Sequence, residues 1–299
     1  MTRWVAITNG QAGGSGDPVL EEVLATLDEA VDPEVHHVDG DEDLHAALRA
    51  ARGGVAVAIG GDGSVHAAVA GLDALDLFEE VELAIIPMGT GNDYVRTVGI
   101  DADPVEAARQ AIAHEARDTD LVRDDLGRLV VNVVHVGLGA EANERAEPWK
   151  ERLGPAGYAV GAIASGVLGK GIHARVTVDG EVVARGERLA QVAVGNGRHV
   201  GGGAPLLPEA DPFDGLMDVA VSFAEPRWRR LGYAWRLRRG RHPMRDDVLY
   251  RRCHEVTVSG EPMDVNLDGD MYDAREQHVW RVQPGLLRLR CPGLPADES

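Results

Sequence analysis

The strongest constraint on the fold is a series of short, uninterrupted apolar runs that alternate with segments of helical spacing in the first third of the chain. The apolar runs are residues 4–7, 55–59 and 83–87, and the helical segments are residues 18–30, 65–77 and 104–114. Strands without polar alternation are buried on both faces, which is the pattern of a parallel sheet covered by helices. The first third is therefore predicted to be an α/β domain.

The remainder of the chain has a different pattern, in which strand-like segments follow one another without helices. These segments are residues 129–134, 174–178, 181–184, 191–194, 217–221, 256–258 and 286–289. Asp179 and Gly180 separate two of them and are a strong hairpin signal. We predict a nucleotide-binding α/β domain over residues 1–121 and a mostly antiparallel β-sandwich over residues 122–284, with residues 285–299 packing back onto the first domain.

The chain is strongly acidic, and its acidic residues are spread along the sequence. There are 49 acidic and 30 basic residues, for a formal net charge of −19, and Lys150 and Lys170 are the only lysines. Repulsion among so many acids is screened at about 1 M salt, where the Debye length is roughly 3 Å. The composition predicts adaptation to a salty cytoplasm, the alternative being a GC-rich genome that favours arginine. Its sign disfavours nucleic acid as a partner.

Several classes of protein are excluded by what the sequence lacks. It has no run of 18 apolar residues, and the uncharged residues 155–169 are predicted to be a buried helix rather than a membrane span. The two cysteines, Cys253 and Cys291, cannot form a disulfide framework or a four-thiolate zinc site. We therefore expect a soluble, cytoplasmic protein.

A glycine-rich loop follows the second apolar run. It consists of Gly60, Gly61, Asp62, Gly63 and Ser64. Glycines between a strand and a helix let backbone N–H groups approach an anion at the positive helix end. An acid in such a loop suits a divalent cation placed between it and the phosphates of a nucleotide. The alternative is an ordinary strand–turn–helix connection.

A second loop of this kind follows the third apolar run. It contains Gly89, Thr90, Gly91, Asn92 and Asp93. The carboxyl ends of neighbouring parallel strands meet at one edge of a sheet, where open α/β sheets bind ligands. The pair of loops therefore predicts one phosphate-binding crevice.

Acidic residues near the C-terminus form a third motif, residues 263–270. An extended chain would place Asn266, Asp268 and Asp270 on one face and Val265 and Leu267 on the other. Two carboxylates on one exposed face suit a general base beside a metal ligand. The alternative is an acidic hairpin turn.

Two further clusters carry charge. Asp211, Asp214 and Asp218 lie close in sequence without the ligand spacing of an EF-hand, so a metal site and a solvated turn are both open. Residues 227–252 contain ten arginines and two acids, and Trp228 and Trp235 share one stripe of a predicted helix. That pattern suits a helix at a membrane surface, or a packed helix with a solvated basic face.

The two glycine loops together resemble the catalytic domain of diacylglycerol kinases and related lipid kinases, including sphingosine kinases. The matching segments are residues 60–64, 86–93 with Arg96, 131–133, 137–139, 208–219 and 266–270, in the family's order. The resemblance implies an ATP-dependent kinase of a diacylglycerol-like lipid, with ATP and Mg²⁺ between two domains. With a lipid substrate at the membrane surface, residues 227–252 are the candidate for peripheral contact with the membrane, and a homodimer stays open.

The resemblance also implies roles for single residues. Asp268 would accept the proton of the substrate hydroxyl, with Asp270 beside it where most relatives have glutamate. A structural Mg²⁺ would bind the carbonyls of Asp211 and Leu216 and the side chain of Asp214. The implied nucleotide-binding residues are Asn9, Gly13, Gly60, Gly61, Asp62, Gly63, Ser64, Gly89, Thr90, Asn92, Asp93 and Asp120.

Some positions depart from the family. The opening loop, residues 9–13, lacks the usual proline and serine, and Val38 or Asp39 stands where a threonine is expected near the adenine. Two alternatives therefore stay open: an NAD kinase-like enzyme, which shares the Gly-Gly-Asp-Gly loop, and a catalytically weak protein that binds nucleotide or lipid.

Overall fold

The computed structural model describes residues 2–9, 17–137, 171–223, 244 and 246–294. The chain divides into two compact units: Met1–Asp120 with Pro284–Ser299, and Leu121–Gln283. Three predictions lie outside the described residues: the role of Gly13, the helix over residues 155–169, and the tryptophan-bearing helix in the arginine-rich segment.

A parallel sheet forms the centre of the first unit, as predicted. Its strands are β1 (Trp4–Asn9), β2 (Glu34–Val38), β3 (Gly54–Gly60), β4 (Val81–Pro87) and the end of the last strand of the chain, β16 (Asp270–Arg290). The order is β16-β4-β3-β1-β2, and every pairing in it is parallel. Every residue of β3 is buried, which explains its uninterrupted apolar sequence.

Helices connect these strands. They are α1 (Pro18–Val31), α2 (Asp41–Ala50), α3 (Asp62–Ala74), α4 (Asp93–Thr97) and α5 (Pro104–Ala113). Proline begins α1 and α5, and the side chains of Asp17 and Asp103 accept backbone N–H bonds at their first turns. The predicted starts of these two helices are therefore confirmed.

Among the connecting elements of the first unit, β2, α2 and the short α4 were not predicted, and α3 begins earlier than predicted. β2 lies at the sheet edge and is mostly exposed, so it has no apolar run, and α2 begins with three acids. α3 starts at Asp62, three residues before its predicted start, because its first turn is the polar part of the glycine loop.

The second unit is mostly antiparallel. Its strands are β5 (Ala116–Asp124, which begins in the first unit), β6 (Leu129–Val130), β7 (Val133–Val136), β8 (Ile172–Val178), β9 (Glu181–Leu189), β10 (Gln191–Gly195), β11 (His199–Val200), β12 (Ala204–Pro205), β13 (Met217–Ser222), β14 (Val248–Cys253), β15 (Glu255–Leu267) and most of β16. The order is β14-β13-β10-β7-β15-β16, with β8 on β15 and β9 on β8. One apolar core takes residues from β8 and β9 and from β10 and β13. Asp179 and Gly180, both at positive φ, turn β8 into β9 as predicted.

One predicted strand is interrupted. Residues 129–134 form β6 and β7 with a break at Val131 and Asn132. The backbone N–H groups of both residues donate to the carboxylate of Asp268. The break therefore has a polar cause that the apolar run does not reveal.

Candidate functional site

The two glycine loops lie against each other at the carboxyl ends of β3 and β4. Gly60 pairs with Pro87 in register, and the Met88 N–H donates to the Gly60 carbonyl over 2.8 Å. A Cβ atom added to Gly89 would lie 2.5 Å from the Gly61 Cα. Position 89 therefore requires glycine, and at position 61 a Cβ atom would lie 3.1 Å from the Gly89 Cα, which leaves little room for a side chain.

The position of these loops in the sheet is where a ligand is expected. β1 has β2 on one side and β3 on the other, so the chain reverses its direction of winding between β1 and β3. Open α/β sheets bind ligands outside the carboxyl ends of the strands at such a point. Asn9 ends β1 and Gly60 ends β3, which puts both predicted residues at this edge.

Asp62 links the two loops. Its Oδ1 accepts N–H bonds from Asp93 over 2.9 Å and from Tyr94 over 3.4 Å, at the start of α4. A Cβ atom on Gly91 would lie 2.7 Å from the other oxygen, Oδ2. The sequence predicted Asp62 as a carboxylate facing a cation, and the structure adds a capping role.

The charges around Asp62 favour a cation. Burial raises the pKa of Asp62, and the neighbouring Asp93 raises it further. Asp93 is itself buried. Two carboxylates in a half-buried place repel each other. The Arg96 guanidinium, 3.5 Å from Asp93 Oδ1, offsets part of that repulsion, and a divalent cation would relieve it further.

Asn92 and Arg96 complete the second loop. Asn92 has a left-handed φ of 51°, and its Nδ2 donates to the Gly89 carbonyl over 2.8 Å. Its Oδ1 is buried and has no hydrogen-bond partner within the described part of the chain. Arg96 donates to the Gly91 carbonyl and, over 3.2 Å, to the Asn92 carbonyl.

These residues fit Mg²⁺ with a nucleotide phosphate. The glycine contact provides a wall made of backbone alone, and Gly63 has no atom within 4 Å of an added Cβ. Thr90, in the second loop, is exposed. The carboxylates of Asp62 and Asp93 and the unpartnered Asn92 oxygen are hard oxygen donors of the kind that Mg²⁺ prefers.

The remaining predicted residues of the first unit have structural contacts. Asp120 is buried, and its Oδ1 accepts the Gly285 N–H over 2.7 Å. The Ser64 N–H donates to the Gly61 carbonyl over 2.9 Å, within the first turn of α3. These contacts do not involve a ligand, so the binding roles of Asp120 and Ser64 stay predictions.

The acidic motif of the second unit is a hairpin turn, and the predicted single extended face is wrong. β15 ends at Leu267 and β16 begins at Asp270, and these two residues pair. Asp268 and Gly269 form the turn, at φ angles of 51° and 110°. Because opposed residues share a face, Asp270 lies with Leu267 and not with Asn266.

Backbone donors hold the Asp268 side chain. Oδ2 accepts the Val131 N–H over 2.7 Å, and Oδ1 accepts the N–H groups of Asn132 and Val133, each over 2.9 Å. The Asp268 N–H donates to the Val133 carbonyl over 3.1 Å. The carboxylate is therefore fixed in orientation, whereas Asp270 is exposed.

Sequence reasoning missed His135, a buried residue next to this turn. His135 pairs with Asn266 across the sheet, and its Nδ1 lies 3.3 Å from Gln191 Nε2. Burial lowers the pKa of His135 to about 4, and the charge of Asp268 opposes that shift. The imidazole is thus neutral at ordinary pH. An isolated histidine between apolar residues was the only sequence signal.

The acidic side chains of the predicted structural Mg²⁺ site contact neighbouring protein groups. Asp211 Oδ1 accepts the Phe213 N–H over 3.0 Å, and Asp214 Oδ1 accepts the Leu216 N–H over 2.9 Å. The Asp214 carboxylate also forms an ion pair with Arg252. Within the described ranges, no group of three or more His, Cys, Asp or Glu side chains could hold a metal. A metal at Asp211, Asp214 and Leu216 stays a prediction.

Comparison with known proteins decides the family. A model of the diacylglycerol kinase catalytic domain matches residues 3–123, and a model of the YegS C-terminal NAD kinase beta sandwich-like domain matches residues 132–291. The chain belongs to the diacylglycerol kinase catalytic-domain family. Members of this lipid kinase family are similar to the chain over nearly their whole length.

Two such relatives and one solved structure illustrate this similarity. A probable YegS-like lipid kinase of Stenotrophomonas maltophilia is 30% identical over 97% of this chain and 96% of its own. A diacylglycerol kinase of Mycobacterium tuberculosis is 31% identical over 95% of this chain and 94% of its own. A diacylglycerol kinase structure from Bacillus anthracis has the same fold, with a TM-score of 0.78 at 23% identity over 97% of this chain and 96% of its own. Among the described helices, none is long and apolar enough to cross a membrane.

Proposed function

We propose that this chain transfers the γ-phosphoryl group of ATP to the hydroxyl group of a diacylglycerol-like lipid. The observation that carries the proposal is the contact between Gly61 and Gly89, which lines the carboxyl edge of the sheet with backbone alone. Membership of the lipid kinase family supports a lipid as the acceptor. The names of the relatives support diacylglycerol as the first lipid to test.

The first unit would bind the nucleotide. Backbone N–H groups at Gly61 and Gly63, with Thr90, would hold the phosphates. Asp62, Asp93 and the Asn92 oxygen would hold Mg²⁺, which neutralises phosphate charge during phosphoryl transfer.

The turn of the second unit would supply the proton acceptor. Asp268 would take the proton of the lipid hydroxyl as that oxygen bonds to the γ-phosphorus and the bond from phosphorus to the ADP oxygen breaks. Three backbone donors fix the orientation of the Asp268 carboxylate, which would position it toward the lipid hydroxyl. Asp270 would add a second negative charge beside it.

The acceptor experiment separates the rival functions. Purified protein is incubated with γ-labelled ATP and Mg²⁺, and with diacylglycerol micelles, sphingosine micelles or NAD. We expect label in the diacylglycerol fraction and its loss on addition of EDTA. Label in the NAD fraction would overturn the proposal in favour of an NAD kinase-like activity. ATP binding without transfer to any acceptor would overturn it in favour of a binding protein.

We also propose that the arginine-rich segment contacts the membrane. Ten arginines against two acids in residues 227–252 contrast with the acidic remainder of the chain. The double substitution Trp228→Ala with Trp235→Ala is expected to reduce vesicle binding while activity on a short-chain, soluble diacylglycerol persists. A folded double variant that binds vesicles normally would rule out this segment as the contact.

A further inference from the structure

Asn132 lies in the break between β6 and β7 and contacts two separate parts of the second unit. Its backbone N–H donates to Asp268 Oδ1 over 2.9 Å. Its carbonyl accepts the N–H groups of Asn196 over 3.1 Å and Gly197 over 3.0 Å. Its side-chain Nδ2 donates to the His199 carbonyl over 2.9 Å. One residue thus joins the Asp268 turn to the segment of residues 195–199, here called the 195–199 loop.

The 195–199 loop is shaped around Asn132. A Cβ atom on Gly197 would overlap the Asn132 side-chain oxygen, and a Cβ atom on Gly195 would overlap the Asn132 carbonyl. Both glycines are therefore needed for the loop to approach this closely. The contact is too tight to accept a larger residue at either position.

This arrangement has a cost in stability. The Oδ1 of Asn132 is buried without a hydrogen-bond partner in the described structure, and so are both side-chain polar atoms of Asn196. Buried polar atoms without partners destabilise a fold, and such violations concentrate at functional sites. Packing alone would be served better by apolar side chains.

Asn132 is also one of the residues whose N–H groups bind Asp268. The N–H groups of Val131 and Asn132 bond to the Asp268 carboxylate, and neither residue belongs to a strand. Strand pairing therefore does not fix these two donors. The bonds from Asn132 to the 195–199 loop restrain them instead.

We propose that Asn132 is a positioning residue that holds the N–H donors of Asp268 in place through the 195–199 loop. The inference rests on the proposed function, because Asp268 matters for rate only if it takes part in phosphoryl transfer. In this role Asn132 acts through Asp268 and takes no part in binding the nucleotide. Its loss should therefore lower kcat and leave the KM for ATP unchanged.

The test uses two substitutions that disturb the same contact from opposite sides. Asn132→Ala removes the bond to the His199 carbonyl, and Gly197→Ala displaces the Asn132 side chain. Each is expected to lower kcat for lipid phosphorylation by about 10- to 100-fold, the usual effect of misplacing a catalytic group. Gly40→Ala is the matched control, since an added Cβ there has no atom within 4 Å. It should leave kcat unchanged.

The double variant and the KM for ATP separate positioning from general destabilisation. Because both substitutions break one contact, Asn132→Ala with Gly197→Ala should be hardly slower than either alone. Folded single variants with the wild-type kcat, or a rise in KM for ATP with no change in kcat, would overturn the inference. If Asn132→Ala does not fold, Gly197→Ala alone decides by the same criteria. An inactive wild-type protein would instead count against the proposed function.

Discussion

Asp62 has two roles that substitution can separate. Its Oδ1 caps α4 through the N–H groups of Asp93 and Tyr94, and its charge is available for a cation. Asp62→Asn keeps an oxygen for the cap but removes the charge, whereas Asp62→Ala removes both. We expect both variants to lose Mg²⁺-dependent ATP affinity by at least about tenfold, and only Asp62→Ala to lose about 1 kcal/mol of stability as well. Calorimetric titration with and without Mg²⁺, beside thermal melts, measures both. Unchanged Mg²⁺-dependent ATP affinity in both variants would show that Asp62 caps α4 and does not bind the cation.

Asp268 is expected to contribute both to catalysis and to the stability of the fold. Asp268→Asn places an amide where three backbone N–H groups need acceptors, so it should lower the melting temperature. Loss of the base should lower kcat by about 10²- to 10⁴-fold while ATP still binds. Asp270→Asn is the comparison, because Asp270 is exposed and its loss should leave the melting temperature unchanged. Near-wild-type turnover by a folded Asp268→Asn variant would contradict the assignment.

The acidic turn marks the limit of what the sequence predicts at the residue scale. The sequence identifies the residues of the motif, but the prediction that Asn266, Asp268 and Asp270 share one face is wrong because Asp268 takes a left-handed conformation. Asp268-Gly269 is the same dipeptide as Asp179-Gly180, whose hairpin was predicted correctly. The three backbone bonds to Asp268 come from residues more than 130 positions earlier. Spacing in the sequence cannot reveal such contacts.

At the scale of elements, apolar runs predict buried strands well and edges poorly. β3 and β4 were predicted because they are almost wholly buried, and β2 was missed because it is an exposed edge. The two glycine loops were predicted to share one crevice because parallel neighbours end at one edge. Their direct contact depends on the parallel pairing of β3 with β4, which the apolar runs alone do not reveal.

Asp218 on β13, beside Tyr250 on β14, makes the stability of the fold depend on pH. Burial raises the pKa of Asp218 to about 7, while the Tyr250 hydroxyl opposes the shift. Between about pH 4 and pH 7 the folded chain keeps a proton that the unfolded chain releases, so the free energy of unfolding falls as pH rises. Asp218→Asn should remove this fall and melt on the order of 5 °C higher than wild type at pH 8, with little difference at pH 4.

Thermal melts from pH 4 to pH 8 test this expectation. Asp273→Asn is the matched control, because Asp273 is exposed and its loss should change the pH dependence little. Parallel curves for wild type and Asp218→Asn would show that Asp218 is not protonated in the folded protein.

At the scale of the whole molecule, the net charge of −19 predicts a need for salt. Repulsion among 49 acids is screened at high ionic strength, and the surface ion pairs that salt weakens contribute little by themselves. We expect the melting temperature to rise with salt and the folded state or activity to be lost below roughly 1 M. Melts across a salt series measure this, and a flat melting temperature would contradict it and favour the genomic explanation of the composition.

The central claim is that the paired glycine loops hold ATP for transfer to a lipid, and the most direct measurement follows both products. ADP and phosphorylated lipid are quantified together for wild type, Gly89→Ala and the control Gly40→Ala. The account predicts one phosphorylated lipid for each ADP formed, the same result for Gly40→Ala, and a loss of both products in Gly89→Ala because its Cβ meets the Gly61 Cα at 2.5 Å. ADP formed without phosphorylated lipid, or a folded Gly89→Ala variant as active as wild type, would contradict it.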